Sequence, residues 1–220
     1  MHVAIPYSAV MVTMSMNKAI HGAFRRDLER FVAALDAFPS GDQGRAGELT
    51  TAWANFDDQL THHHEGEHEI AWPALQSLGV RQELLATLDA EHASMAAALT
   101  KTRAAMAALA GTPGSEQSQA ALAAITELRA VTRQHFDHEE SEIEDLYLTK
   151  RDTPEMKAMG RAFAKVGPVR GGRFFAWVLD GASPDERTAV TSQVPGPVLA
   201  LLTGLFGRSY RKDVAPVWRS

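Results

Sequence analysis

Leu60-Thr61-His62-His63-His64-Glu65-Gly66-Glu67-His68-Glu69-Ile70 is a histidine-rich stretch whose meaning depends on which of its residues share a face. Reading outward in alternating steps of three and four, Leu49, Trp53, Phe56, Leu60, His63, Glu67 and Ile70 fall on one stripe. That spacing keeps side chains on a single helical face turned toward a bundle interior. The same periodicity runs through Met14, Asn17, His21, Phe24, Leu28, Phe31, Leu35 and Phe38, and through Leu85, Leu88, His92, Met95, Leu99, Met106 and Leu109. It returns in Ile125, Leu128, Thr132, His135, Glu139, Ile143 and Leu146. Every seam is interrupted by histidine, and two carry a glutamate one turn later. His21, His63, Glu67, His92, His135 and Glu139 therefore point into the interior of an all-α protein.

The interruptions fall at one level. From His21 to the helix end near Phe38, and from a helix start near Ala46 to His63, the chain runs about 17 residues each way, roughly 25 Å at 1.5 Å per residue. Antiparallel neighbours then bring His21 beside His63. The same count places Glu67 beside His92 and, across the loop at Gly111 to Ser115, His92 beside His135. The fold expected is an antiparallel up-down four-helix bundle. Six unpaired polar groups in its core would exceed a stability margin of roughly 5 to 15 kcal/mol, so something must compensate them.

Glycine and proline mark the boundaries. Pro39 to Gly47, Gly79, and Gly111-Thr112-Pro113-Gly114 separate the four helices, and Trp72-Pro73 should kink or trim the end of the second. After Lys150 the pattern shortens: Thr153-Pro154 and Ser183-Pro184-Asp185-Glu186 read as helix starts, the latter with capping-box spacing. Gly171-Gly172 and Pro195-Gly196-Pro197 should break what lies between. This gives an N-terminal arm over residues 1–13, the bundle over 14–149 and a short helical C-terminal extension over 150–220.

The 220 residues are 45 % hydrophobic and 22 % charged, ordinary for a globular protein. A net charge of −5 with no long basic stripe argues against a nucleic-acid partner. Val3 to Met16 is apolar but lacks a positive start and a cleavage site, and Val194 to Phe206 is too short to span a bilayer, so no membrane partner and a cytoplasmic location are expected. With no cysteine, thiolate and iron–sulfur sites are excluded and only nitrogen and oxygen ligands remain.

Within the histidine tract, His63 and Glu67 occupy consecutive seam positions, close enough for an imidazole and a carboxylate to reach one metal or two adjacent ones. His62, His64 and His68 read either as a surface tract or as further ligands. His135-Phe136-Asp137-His138-Glu139-Glu140 repeats the device, with Asp137, His138 and Glu140 off the seam. Imidazole with carboxylate suits iron, and also manganese or zinc.

These motifs resemble the hemerythrin-like, or HHE cation-binding, proteins. That family places His on the first helix, His-x-x-x-Glu on the second, His on the third and His-x-x-x-Glu on the fourth, matched by His21, His63 with Glu67, His92, and His135 with Glu139. Glu67-His68-Glu69-Ile70-Ala71-Trp72-Pro73 is similar to the aromatic-proline ending of the family's second helix, and the likeness covers roughly Asn17 to Leu148. The resemblance implies a non-haem centre of two iron ions, bridged by Glu67 and Glu139, with one position open to oxygen or peroxide. In some members the carboxylate follows the histidine by five residues, which leaves Glu140 as a substitute for Glu139.

One departure is evident. Oxygen-carrying members have a second histidine one turn from the first on the third helix, whereas here Leu88 and Ala96 flank His92 at that spacing. The missing nitrogen leaves a position for water, or for His64, His68 or His138. Water would favour peroxide breakdown over reversible oxygen carriage. The ferritin-like alternative fits poorly, because Glu65-x-x-His68 and Asp89-x-x-His92 fall on adjacent helices and the fourth helix has no such motif. The expected ligand is a small diatomic molecule or peroxide, bound for turnover or for sensing or storage. A second copy or another protein would engage the extension.

Overall fold

A computed structural model describes residues 12–219, so the arm expected over residues 1–13 lies almost wholly outside the described residues. Those residues form helices joined by short loops, with no strand among them. The long helices are α1 (Met16–Asp36), α2 (Gln43–Gly66), α4 (Gln82–Gly111) and α5 (Ser115–Lys150), with the short α3 (Trp72–Ser77) between α2 and α4. Helix α5 packs along α4 and α1, and α2 packs against both α4 and α1.

Their ends carry the expected chemistry. Ser15 accepts the Lys18 N–H at the start of α1, and Asp42 accepts the Arg45 N–H at the start of α2, each satisfying a donor that a helix leaves orphaned. Ser15 also ties α1 to α5 by donating its backbone N–H to Glu144 Oε1 at 2.7 Å. Gly79, with φ +96°, turns the chain after α3 through a conformation that a side chain would strain.

Ahead of Trp72-Pro73 the second helix departs from regular α geometry. The chain passes through a π-helical turn, Glu67–Ala71, and continues into α3. Proline lacks the N–H that a regular helix would use. The wider turn, closed by Trp72 N–H donating to Glu67 O, precedes it.

Apolar packing divides into two parts. Phe24, Leu28, Phe31, Phe56, Leu60, Met95, Leu99, Ile125 and Leu128 belong to the larger, and Ala71, Trp72, Leu75, Leu85, Leu88, Ile143 and Tyr147 to the smaller. On α2, α4 and α5 the polar seam residues fall between the two parts, while His21 on α1 lies within the larger, between Ala19 and Ala23. The seam histidines and glutamates thus form a polar layer between the two apolar parts.

The remaining helices are α6 (Pro154–Phe163), α7 (Pro168–Val178), α8 (Pro184–Gln193) and α9 (Gly196–Leu201), followed by short turns to Trp218. Thr153 caps α6, and Ser183 with Glu186 completes a capping box on α8. Gly171-Gly172, expected to break the chain, instead lies inside α7. A Cβ on Gly172 would collide with Phe206 and the Leu202 carbonyl, so glycine is there for close approach rather than for a turn. Helices α7 and α8 pack on α1, and Trp177, Val178, Val190 and Tyr210 share the larger apolar part with Phe24 and Phe31. No single helix among the described residues is long and apolar enough to cross a membrane.

Candidate metal centre

The layer is built from two facing pairs of imidazoles. His21 Nε2 on α1 stands 3.2 Å from His63 Nε2 on α2, and His92 Nε2 on α4 stands 2.9 Å from His135 Nε2 on α5. Glu67 lies between the pairs, with Oε1 3.2 Å from His63 Nε2 and Oε2 3.3 Å from His92 Nε2. Glu139 lies 3.3 Å from His21 Nε2 and 3.9 Å from His135 Nε2. All six side chains named from the seams therefore meet, and each carboxylate touches one imidazole of either pair.

Outer hydrogen bonds orient the rings. His21 Nδ1 is 3.0 Å from Glu140 Oε1, and His135 Nδ1 is 2.9 Å from Glu91 Oε2. An ionised carboxylate can only accept, so each Nδ1 carries the proton and, in the neutral ring, each Nε2 turns a bare lone pair inward. Carboxylate support of this kind is what metal-bound histidine requires. Glu140 is further held by Arg25 at 2.6 Å and Lys18 at 3.4 Å, on the far side of His21 from the layer. Glu139, not Glu140, enters the layer, where Asn17 donates to its Oε1 at 2.9 Å.

Electrostatics match an acceptor site. Burial and the neighbouring imidazoles hold His63 and His64 well below their ordinary value, and burial with His135 lowers His92 to about 4. Burial likewise lowers His135, against the hydrogen bond to Glu91. These rings are neutral at pH 7 and available as ligands. His21 moves the other way: burial opposes its charge, but Glu139 and Glu140 outweigh it and raise it. Burial, followed by the charge of Glu139, pushes Glu67 well above the carboxylate range. Burial opposes the charge of Glu139, yet His21 and its neighbours bring it down.

Both oxygens of Glu67, Glu139 Oε2 and His64 Nε2 are shut off from solvent with no hydrogen-bond partner. Buried orphan acceptors of this kind each cost on the order of 1–3 kcal/mol. A shared proton satisfies two facing acceptors at most, whereas a cation between the carboxylates and the neutral imidazoles satisfies all of them, so this donor set fits a metal. One ligand atom from each of His21, His63 and Glu67 lies within 4.8 Å of the others, and the same holds for His64, Glu67, His92 and His135. Glu67 belongs to both groups.

The flanking histidines divide. His62 is turned outward onto the Asp58 carbonyl oxygen, and the exposed His68 ring meets Asp89. His138 approaches Glu91 Oε1 at 2.8 Å and acts on His135 only through that carboxylate. His64, which the sequence left between surface and site, faces inward. Glu91 was not marked in the sequence, since its partner His135 is 44 residues away and no spacing rule links them.

No curated protein and no solved structure matches the chain. The family model described as the hemerythrin HHE cation binding domain matches residues 15–147, the span that carries every residue of the polar layer. By that match the chain belongs to the hemerythrin HHE cation-binding family.

Proposed function

We propose that the chain is a cytoplasmic, non-haem di-iron protein that binds a small ligand such as oxygen, peroxide or nitric oxide. Its long helices would form an antiparallel up-down bundle over 14–149, with residues 150–220 as a helical extension. The observation that carries this reading is the pair of facing imidazole pairs joined by two carboxylates whose buried oxygens lack partners. His21, His63, His92 and His135 would hold the metals terminally, and Glu67 and Glu139 would bridge them. Two iron ions would supply one-electron redox changes and a position for an outside ligand.

The chain's own residues define the rest. Glu140 and Glu91 fix the tautomers of His21 and His135. Phe136, stacked on His21 at 3.8 Å, and Phe24, 5.3 Å from His63, wall that side of the layer with apolar surface and keep bulk water from it. Side chains of His21, Glu67, His135 and Glu139 are at most 3 % exposed, which restricts the site to small ligands. Peroxide turnover and reversible binding use the same residues and differ in what the ligand does next.

The test is elemental analysis after anaerobic reconstitution with ferrous iron, with optical spectra before and after peroxide. About two iron atoms per chain and a near-ultraviolet band on oxidation are expected. Less than about half an equivalent of any transition metal would overturn the reading. Zinc as the sole tight metal would instead mark a structural plug.

A further inference from the structure

The two halves of the layer differ in how many imidazoles surround them. The half at His21 and His63 has two. The half at His92 and His135 also has two on the seams, and Leu88 and Ala96, the positions one turn from His92, bring no third. Leu88 is fully buried in apolar packing and Ala96 is exposed.

His64 stands in that gap. At about 100° per residue, Glu67 projects roughly 40° from His63 and roughly 60° from His64, between the two rings. Two successive histidines can therefore flank one carboxylate from opposite sides, each facing a different half of the layer. The helix widens into its π-helical turn directly afterwards, an irregularity often found at functional sites. The His64 ring stacks on His92, with centroids 4.2 Å apart and planes at 22°, and lies edge-on to His135 at 6.0 Å. Its Nε2 is out of solvent and unpartnered. Ligand atoms of His64, Glu67, His92 and His135 lie within 4.8 Å of one another.

We infer that His64 is the third imidazole of the second metal position, taking the place of the nitrogen missing from α4. That position is then held by His64, His92 and His135, with Glu67 and Glu139 shared with the first. The first, with His21, His63 and Glu67, keeps the smaller set of imidazoles and with it the room for an outside ligand. His62 has no part in either.

This inference rests on the di-metal reading, and one experiment separates their failures. Wild-type protein, His64→Ala, His64→Gln and His62→Ala are loaded anaerobically with ferrous iron, desalted and compared by iron content and Mössbauer spectrum. Wild type and His62→Ala should hold about two irons in two distinct environments. His64→Ala should lose about half of its iron, or keep it with only one environment altered, and added imidazole should restore the altered signal. His64→Gln should shift the same environment alone. Melting of the metal-free proteins gives the second readout: His64→Ala should match wild type when metal-free and fall below it only when loaded. Two irons with both environments unchanged in His64→Ala would overturn the inference and leave the di-iron reading standing. A deficit confined to the metal-free melt would mean that His64 only packs. Wild type without iron would overturn both.

Discussion

Two buried polar groups of residues share the α1 helix and differ in one respect. On one face His21 joins the layer with Glu67 and Glu139. On another, Asp27, 1 % exposed, accepts Trp177 Nε1 at 2.8 Å through one oxygen and Arg30 at 3.0 Å through the other. Asp180 completes that second cluster, accepting from Tyr210 and Arg219 at 3.0 Å each. Both carboxylate oxygens of Asp27 have partners, whereas both of Glu67 have none. Burial alone thus does not mark a site. A closed network pins α7 and the C-terminal turns to α1, and an open one calls for a ligand, because the cost of an orphan acceptor exceeds the gain of a typical satisfied bond.

The strongest way to break this contrast is Glu67→Ala. It should abolish tight metal binding and remove the stabilisation that comes with it, about 4 kcal/mol per metal at free metal 1,000-fold above Kd. The metal-free variant should be no less stable than metal-free wild type, since an orphan has been deleted. Metal analysis and thermal melts with and without chelator check both halves. His63→Ala should also lose metal.

Asp27→Ala should show the reverse: full metal content, with a loss of about 1–3 kcal/mol measured by denaturant titration, because Trp177 Nε1 is left buried without its acceptor while the part-exposed Arg30 keeps Asp180. Burial, against Trp177 and Arg30, raises the Asp27 carboxyl above its ordinary 3.8. A raised folded value means that its stability contribution is complete below pH 3.8 and declines as pH rises through the folded value. Asp27→Asn should flatten that part of the stability profile. An unchanged slope would show that another group carries it.

Gly172→Ala should cost about 1–3 kcal/mol by forcing α7 away from Leu202 and Phe206, with metal content intact. Loss of metal in that variant would show that packing around α7 reaches the layer. The smallest effect belongs to His62→Ala, within about 0.5 kcal/mol and with unchanged metal, as for exposed side chains in general. Metal loss equal to that of His63→Ala would place α2 one residue out of register.

The sequence by itself determined the helical class, the six converging residues and the family, because a period of three and four residues is a local property that needs no knowledge of the partner helix. It also contained the capping box at Ser183 and Glu186, again a contact between near neighbours. Tertiary structure decided the rest. Whether Glu139 or Glu140 enters the layer depended on Arg25 and Lys18, which draw Glu140 to the outside. Whether Gly171-Gly172 breaks or packs depended on Leu202 and Phe206. His64 sits one residue from a seam position, where periodicity alone places it on the flank. Only the ring of His92, brought from another helix, shows that the flank is part of the interior.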